Sequence, residues 1–322
     1  MKLNYLLNNI GPIKKADIIL EDLTVIVGTN SIGKSLISKS AYIAMKSIVS
    51  KDEEIVDLIK DEGYTPELYK YAENIFLTMS VNDIQAIHLD FNPLKINIIE
   101  RGLKVKDVTY VDGPLIIHES IHKNISLEHN DDLKRKMITL KTDSNDNSDF
   151  KLKFKHEILN LIDEIIENQN LEYSSDKRRF FLNVNDRVRV PINKAPNGIK
   201  SFLILRELLN NGYLNNESIL ILDEPEILSH PVWQLSLAHI IGRIIKNLGL
   251  KVIVNTCNIY FLEALEMYSE SYNLKKNFYL GKKINDGYEF VNETSSIQNI
   301  YNALLDPFEK LDNLRMEYKK ED

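Results

Sequence analysis

Two stretches of the chain gather the residue types that hold phosphate and a divalent cation. The first, Gly28-Thr29-Asn30-Ser31-Ile32-Gly33-Lys34-Ser35, fits the eight-residue phosphate-loop pattern. Its glycines let the backbone turn tightly, so that successive amides face the phosphates. Lys34 would then reach the β- and γ-phosphates of ATP and the Ser35 hydroxyl would ligate magnesium. The helix that begins near Lys34 adds its positive end. The second stretch, SILILDEP at 218–225, is an apolar run that ends in two carboxylates. Beside a phosphate loop it reads as the other half of the site. Asp223 would hold the magnesium shell, and Glu224 would orient and deprotonate the attacking water. The competing readings are an ordinary glycine turn and a pair of acids that cap the next segment.

A third stretch, NTCNIYFLEAL at 255–265, follows the apolar run Leu250–Val254 and holds the only cysteine, Cys257. A buried strand that ends in small polar residues before a helix is where an α/β sheet places its chemistry. A nucleophilic or redox role for Cys257 lacks a partner histidine in the local sequence.

These stretches need particular elements to carry them. LNYLLNNI, KKADIIL and DLTVIVG alternate like antiparallel strands, and a helical pattern runs from Ser35 to about Ser50. Residues 51 to about 88 are charged and helical in period, strands return at LKINIIE and VTYVDGPLII, and 119–176 is polar with helices around a TDSNDNSD loop tip. RFFLNV and RVRVPI read as strands. An α/β alternation follows: helix 198–210, strand 218–222, helix 231–246, strand 250–255, helix 259–268 and strand 276–280. The C-terminal segment from Ile300 is helical in pattern and is expected to pack on the core, the alternative being a face presented to a partner.

Composition narrows the classes. With 43% apolar and 27% charged residues, neither disorder nor a fibrous repeat is expected. The net charge of −7 argues against a surface basic everywhere and leaves nucleic acid to a local groove. One cysteine excludes a disulfide framework and a cysteine zinc site and suits a reducing compartment. The N-terminus lacks a signal-peptide core, and no apolar run reaches the roughly 20 residues that span a bilayer. The chain reads as cytoplasmic, without membrane contact. Lys177-Arg178-Arg179 with Arg187 and Arg189 could meet nucleic acid or ATP, or be solvated surface, and Lys134-Arg135-Lys136 is a weaker cluster. The seven histidines show no zinc spacing.

The two phosphate-site motifs, the opening IGPIKKADIILEDLTVIVGTNSIGKS and the segment ILILDEPEILSHPVWQL together resemble an ABC-type ATPase. The branch is the one that holds OLD-family nucleases and the chromosome-maintenance and recombination ATPases. The resemblance covers roughly 1–50 and 176–280. It implies an α/β fold: an ABC-type P-loop ATPase head with a mixed sheet, an N-terminal antiparallel β lobe and a mostly helical insertion. Residues 1–50 and 176–322 would form the head, split by an insertion at 51–175 with strands near 94–117.

The resemblance also implies a head-to-head homodimer that sandwiches two ATPs. Each phosphate loop would face the other subunit's signature segment, here Asn197, Gly198 and Lys200. Asn197 stands where serine is usual, and it still donates a hydrogen bond; the segment could also be a plain capped turn. His230 falls in the dimer-contacting loop and either communicates between sites or caps and packs. VTYVDGPLII lacks the family's γ-phosphate-sensing glutamine, and Asp112 or His118 either faces magnesium and water or sits in a solvated loop. Cys257 stands at the family's switch histidine, so hydrolysis is expected to be slow. About 40 residues follow the last expected strand, too few for the TOPRIM nuclease domain of OLD enzymes. A separate effector protein, nuclease or toxin, in bacterial anti-phage defence is the implied partner. The alternatives are a non-hydrolysing ATP-gated scaffold or sensor, a repair or recombination ATPase acting on DNA, and a phosphate-loop kinase, for which no arginine-rich lid is visible.

Overall fold

The computed structural model describes residues 2–49, 52–62, 74–91, 94–99, 104–118, 128–141 and 149–321. Most of the TDSNDNSD stretch, 142–148, lies outside the described residues. The chain opens with β1 (Leu3–Ile10), β2 (Ile13–Leu20), β3 (Leu23–Val27) and α1 (Lys34–Val49). Next come α2 (Asp52–Asp61), β4 (Phe76–Val81), β5 (Ile84–Phe91), β6 (Leu94–Ile98), β7 (Asp107–Asp112), α3 (His129–Ile138) and α4 (Asp149–Ile165). β8 (Asn170–Ser174), β9 (Arg179–Asn185), β10 (Val188–Pro191), α5 (Lys200–Asn210), β11 (Ser218–Asp223) and α6 (Pro231–Leu248) follow. The chain ends with β12 (Lys251–Thr256), α7 (Ile259–Ser271), β13 (Lys276–Ile284), β14 (Gly287–Asn292) and α8 (Gln298–Glu321).

Eleven strands form one mixed sheet in the order β6-β5-β4-β1-β2-β14-β13-β3-β12-β11-β7. From β13 to β7 the neighbours run parallel, and from β6 to β2 they run antiparallel. The parallel strands are covered on both faces, as their unbroken apolar runs require. Leu220, Leu222, Val252 and Val254 face one core with α4, α5, α6 and α7, whereas Ile219, Ile221 and Ile253 face the other with α1. The expected mixed sheet is present, and β1 and β2 form an antiparallel lobe with β4–β6. β3, read as a third antiparallel strand, instead lies parallel between β12 and β13, and the segment 51–175, read as mostly helical, also supplies β4–β7 to the sheet. β8, β9 and β10 form a separate antiparallel sheet whose Phe180 and Leu182 join the first core.

Two local differences have clear causes. Residues 76–88, read from their charge as helical, are strands, because Leu77, Met79 and Val81 bury alternate positions. Asn82 and Asp83, both at positive φ (50° and 65°), make the two-residue turn that folds β4 onto β5. β14 continues the chain beyond the last expected strand through an Asn285-Asp286 turn that ends at Gly287. No helix among the described residues is long and apolar enough to cross a membrane.

Candidate active site

The parallel strands β3, β7, β11 and β12 all end at one edge, which brings the sequence motifs together. β3 runs into the phosphate loop, where Gly28, Ser31 and Gly33 take φ values of +156°, +66° and +105°. At Gly28 a Cβ would meet Ile32 Cδ1 at 2.2 Å, so a side chain there would displace Ile32. Ile32 itself is buried against Gly281 of β13 and pins the loop to the sheet. Its backbone, not its side chain, is what it can offer a phosphate. Lys34 opens α1 and donates to the Gly28 and Thr29 carbonyls, both at 3.0 Å.

Residues of this loop, of the end of β11 and of the segment after β7 line a cleft of about 510 Å³. That volume lies within the usual range of a small-molecule site. Asn30, Ser31, Gly33, Lys34 and Ser35 of the loop line it together with Asp112, Asp223 and Glu224. Lys34 Nζ lies 3.5 Å from Glu224 Oε1, and Glu224 adopts a left-handed φ of 44° with its amide bonded to Asn255 O. The Cys257 thiol is half buried within hydrogen-bonding reach of Glu224, and burial together with the Glu224 charge pushes its pKa up. A thiol so disfavoured as thiolate is a poor nucleophile.

Asp223 is buried beside the loop. Tyr110 Oη donates to its Oδ2 at 3.1 Å, Asn255 Nδ2 to its Oδ1 at 3.0 Å, and the Ser35 hydroxyl also bonds to it. Burial raises its pKa, and these hydrogen bonds oppose the rise. Ser35 and Asp223 form a hard-oxygen pair of the kind that suits magnesium. Among the described residues no group of three or more His, Cys, Asp or Glu side chains gathers into a metal cage. An ion here would depend on phosphate oxygens and water for its remaining ligands, as magnesium does in nucleotide sites.

Sequence reasoning missed several supports. Tyr110 and Asn255 hold Asp223. Glu226 is buried and accepts from Thr256 Oγ1 at 2.5 Å, which joins the acidic turn to the Cys257 segment. A polar Asn255 inside the run KVIVNT was the one local signal of this set.

The segment Asn197–Lys200 does not line the cleft. Asn197 is exposed, whereas Gly198 lies under the Trp233 ring. Lys200 is fully buried, with Nζ 2.5 Å from Asn197 Oδ1 and 2.6 Å from His118 Nε2. Its charge, expected at the surface, is turned inward. His230 caps α6 through Nδ1, which accepts from Val232 N at 3.3 Å. Lys134 and Lys136 are buried, so 134–136 is not a surface basic patch. Arg189 pairs with Glu172 at 2.8 Å and stacks over Phe181.

No family model matches the chain, and no curated protein does. Solved structures do. The fold is similar to an SMC head bound to the C-winged helix domain of ScpA, at 10% identity, 90% coverage of this chain, 96% of that one and a TM-score of 0.51. It is equally similar to an Smc head domain with an extended coiled coil bound to the C-terminal domain of ScpA, derived from Pyrococcus furiosus. That match has 10% identity, covers 97% of this chain and 98% of that one, and has a TM-score of 0.51. The chain thus has the fold of an SMC-type ATPase head, and at this identity the likeness concerns fold alone.

Proposed function

We propose that the chain is an ABC-type ATPase that binds ATP with magnesium in the cleft and hydrolyses it slowly. The observation that carries this reading is the convergence of Lys34 with Asp223 and Glu224, residues about 190 positions apart, at the mouth of one cleft. The loop amides and Lys34 bind the phosphates. Glu224 takes the proton of the attacking water as its oxygen bonds to the γ-phosphorus and the bond to ADP breaks. Ser35 and Asp223 would hold magnesium, which when bound would supply charge neutralisation at the phosphate oxygens.

Because Asn197 and Gly198 stand away from their own cleft, they are assigned to the nucleotide of a second copy in a head-to-head homodimer. Residues 1–50 and 176–322 are assigned to the head and 51–175 to an insertion whose strands β4–β7 complete the head's sheet. The phosphate-loop and acidic-turn sequences support placing the chain in the OLD-like branch. In that setting a cytoplasmic ATPase of this kind controls a separate nuclease or toxin in anti-phage defence.

Cys257 supports a second reading, an ATP-gated scaffold that scarcely turns over, since a thiol facing Glu224 cannot supply the cationic donor of a histidine. Phosphate release by the purified wild type, Glu224→Gln and Cys257→His decides between them. The hydrolase predicts a wild-type rate well above Glu224→Gln and a higher rate still in Cys257→His. Equal rates in wild type and Glu224→Gln would establish the scaffold. Purification from native cells would name the partner.

A further inference from the structure

Asp112 ends β7 in register with Asp223 on β11, and its side chain is 49% exposed to the cleft. It is approached from behind by His129, the first residue of α3, whose ring is only 2% exposed. His129 Nε2 lies 3.5 Å from Asp112 Oδ2, an ion-pair distance, and has no hydrogen-bond partner otherwise. The opposite edge of the ring is clamped: Nδ1 stands 2.9 Å from both Glu62 oxygens, and the His129 amide donates to Glu62 Oε1 at 2.8 Å. Glu62, just after α2, is buried and also meets Lys39 of α1 at 3.5 Å. The ring packs 4.6 Å from that of Tyr110, whose hydroxyl holds Asp223.

Burial opposes charge on His129, but the Asp112 and Glu62 carboxylates overcome it and push its pKa up to about 9. Asp112 is in turn held below the usual carboxylate range, chiefly by His129. A buried cation between two anions is costly unless each contact is fixed. Glu62 serves only the Nδ1 edge of the ring, so Nε2 is left to Asp112, the one of the two carboxylates that is half exposed to the cleft. An anion at this edge of the cleft repels phosphate, so what it can usefully hold is water around a nucleotide-bound cation.

Resting on the ATPase reading above, we infer that Glu62 and His129 are positioning residues. They fix Asp112 so that it accepts hydrogen bonds from the hydration shell of the magnesium beside Asp223. α2 and α3 thereby become part of the nucleotide site although neither touches the cleft with a phosphate-binding group.

The test uses the full chain and a fluorescent ATP analogue. It reads the magnesium concentration at half-maximal binding, together with phosphate release. His129→Asn keeps an amide where Nδ1 meets Glu62 and removes the group facing Asp112, whereas His129→Gln places an amide near the Nε2 position. Asp112→Asn and His129→Asn should each raise the magnesium half-point by ~10-fold or more, as loss of outer-shell partners does. The double variant should be no worse than either single one. His129→Gln should recover part of the loss. An unchanged half-point in Asp112→Asn, or losses that multiply in the double variant, would overturn the inference. Should His129→Asn fail to fold, Glu62→Gln takes its place in the same cycle with the same two outcomes. Since the half-point is read without turnover, a wild type that binds the analogue but releases no phosphate refutes the hydrolase and leaves this inference decided on its own readout.

Discussion

Glu226 sits where charge and burial conflict most sharply near the cleft. It is 3% exposed, Thr256 Oγ1 serves one oxygen, and Oε2 is buried without a partner. Burial raises its pKa to about 8 against an ordinary 4.5, with the Thr256 hydrogen bond opposing and the Glu224 and Asp223 charges adding to the rise. The folded state thus keeps a proton that the unfolded state loses. A raised pKa contributes stability that is fully present below pH 4.5 and is lost as pH climbs through about 8. His129, raised from 6.5 to about 9, acts in the same direction over a higher window. Glu226→Gln removes the first of these. Its melting temperature should fall less than that of the wild type between pH 5 and pH 8, and parallel melting curves across that range would count against a neutral Glu226.

At the scale of elements, the phosphate loop is held by what lies beneath it. Ile32 is buried over Gly281, where an added Cβ would meet Ile32 Cδ1 at 2.3 Å and Phe290 at 3.0 Å. Gly281→Ala should therefore lift Ile32 and the loop, at an overpacking cost of about 1–3 kcal/mol. A lower melting temperature and weaker binding of a fluorescent ATP analogue are both expected; retention of both would mean that Ile32 is not the loop's anchor. The same scale explains which strands were legible. The apolar runs of β3, β11 and β12 stand out because both faces are buried. β4, β5 and β14 were missed, the first two because they were read together with the charged stretch before them, although Asn82-Asp83 and Asn285-Asp286-Gly287 carry the turn chemistry that marks their hairpins.

For the whole molecule, the separation of Asn197 from the cleft makes dimerisation the decisive expectation. With ATP and magnesium, Glu224→Gln should double in mass by light scattering, because the nucleotide persists at the interface. Adding Asn197→Glu, which sets an exposed carboxylate against the partner's phosphates, should leave nucleotide binding intact and abolish the dimer. A double variant that still dimerises would remove 197–200 from the interface.

The sequence alone determined the phosphate loop, the acidic strand end and the strands and helices that flank them. Each of these is a local pattern: turn-permissive glycines, an apolar run, a polar break at a strand's end. The sequence did not determine which strands run parallel, since β3, read with β1 and β2 as antiparallel, lies parallel between β12 and β13. The tertiary structure decided what stands behind those motifs. Lys200, expected to add charge at a dimer surface, is buried on His118, and His230 caps a helix. Glu62, His129 and Asp112 lie 67 and 17 positions apart in the chain and meet only because α2 and α3 converge behind the end of β7. Such partnerships follow from the packing of distant elements, and no period or spacing along the chain encodes them.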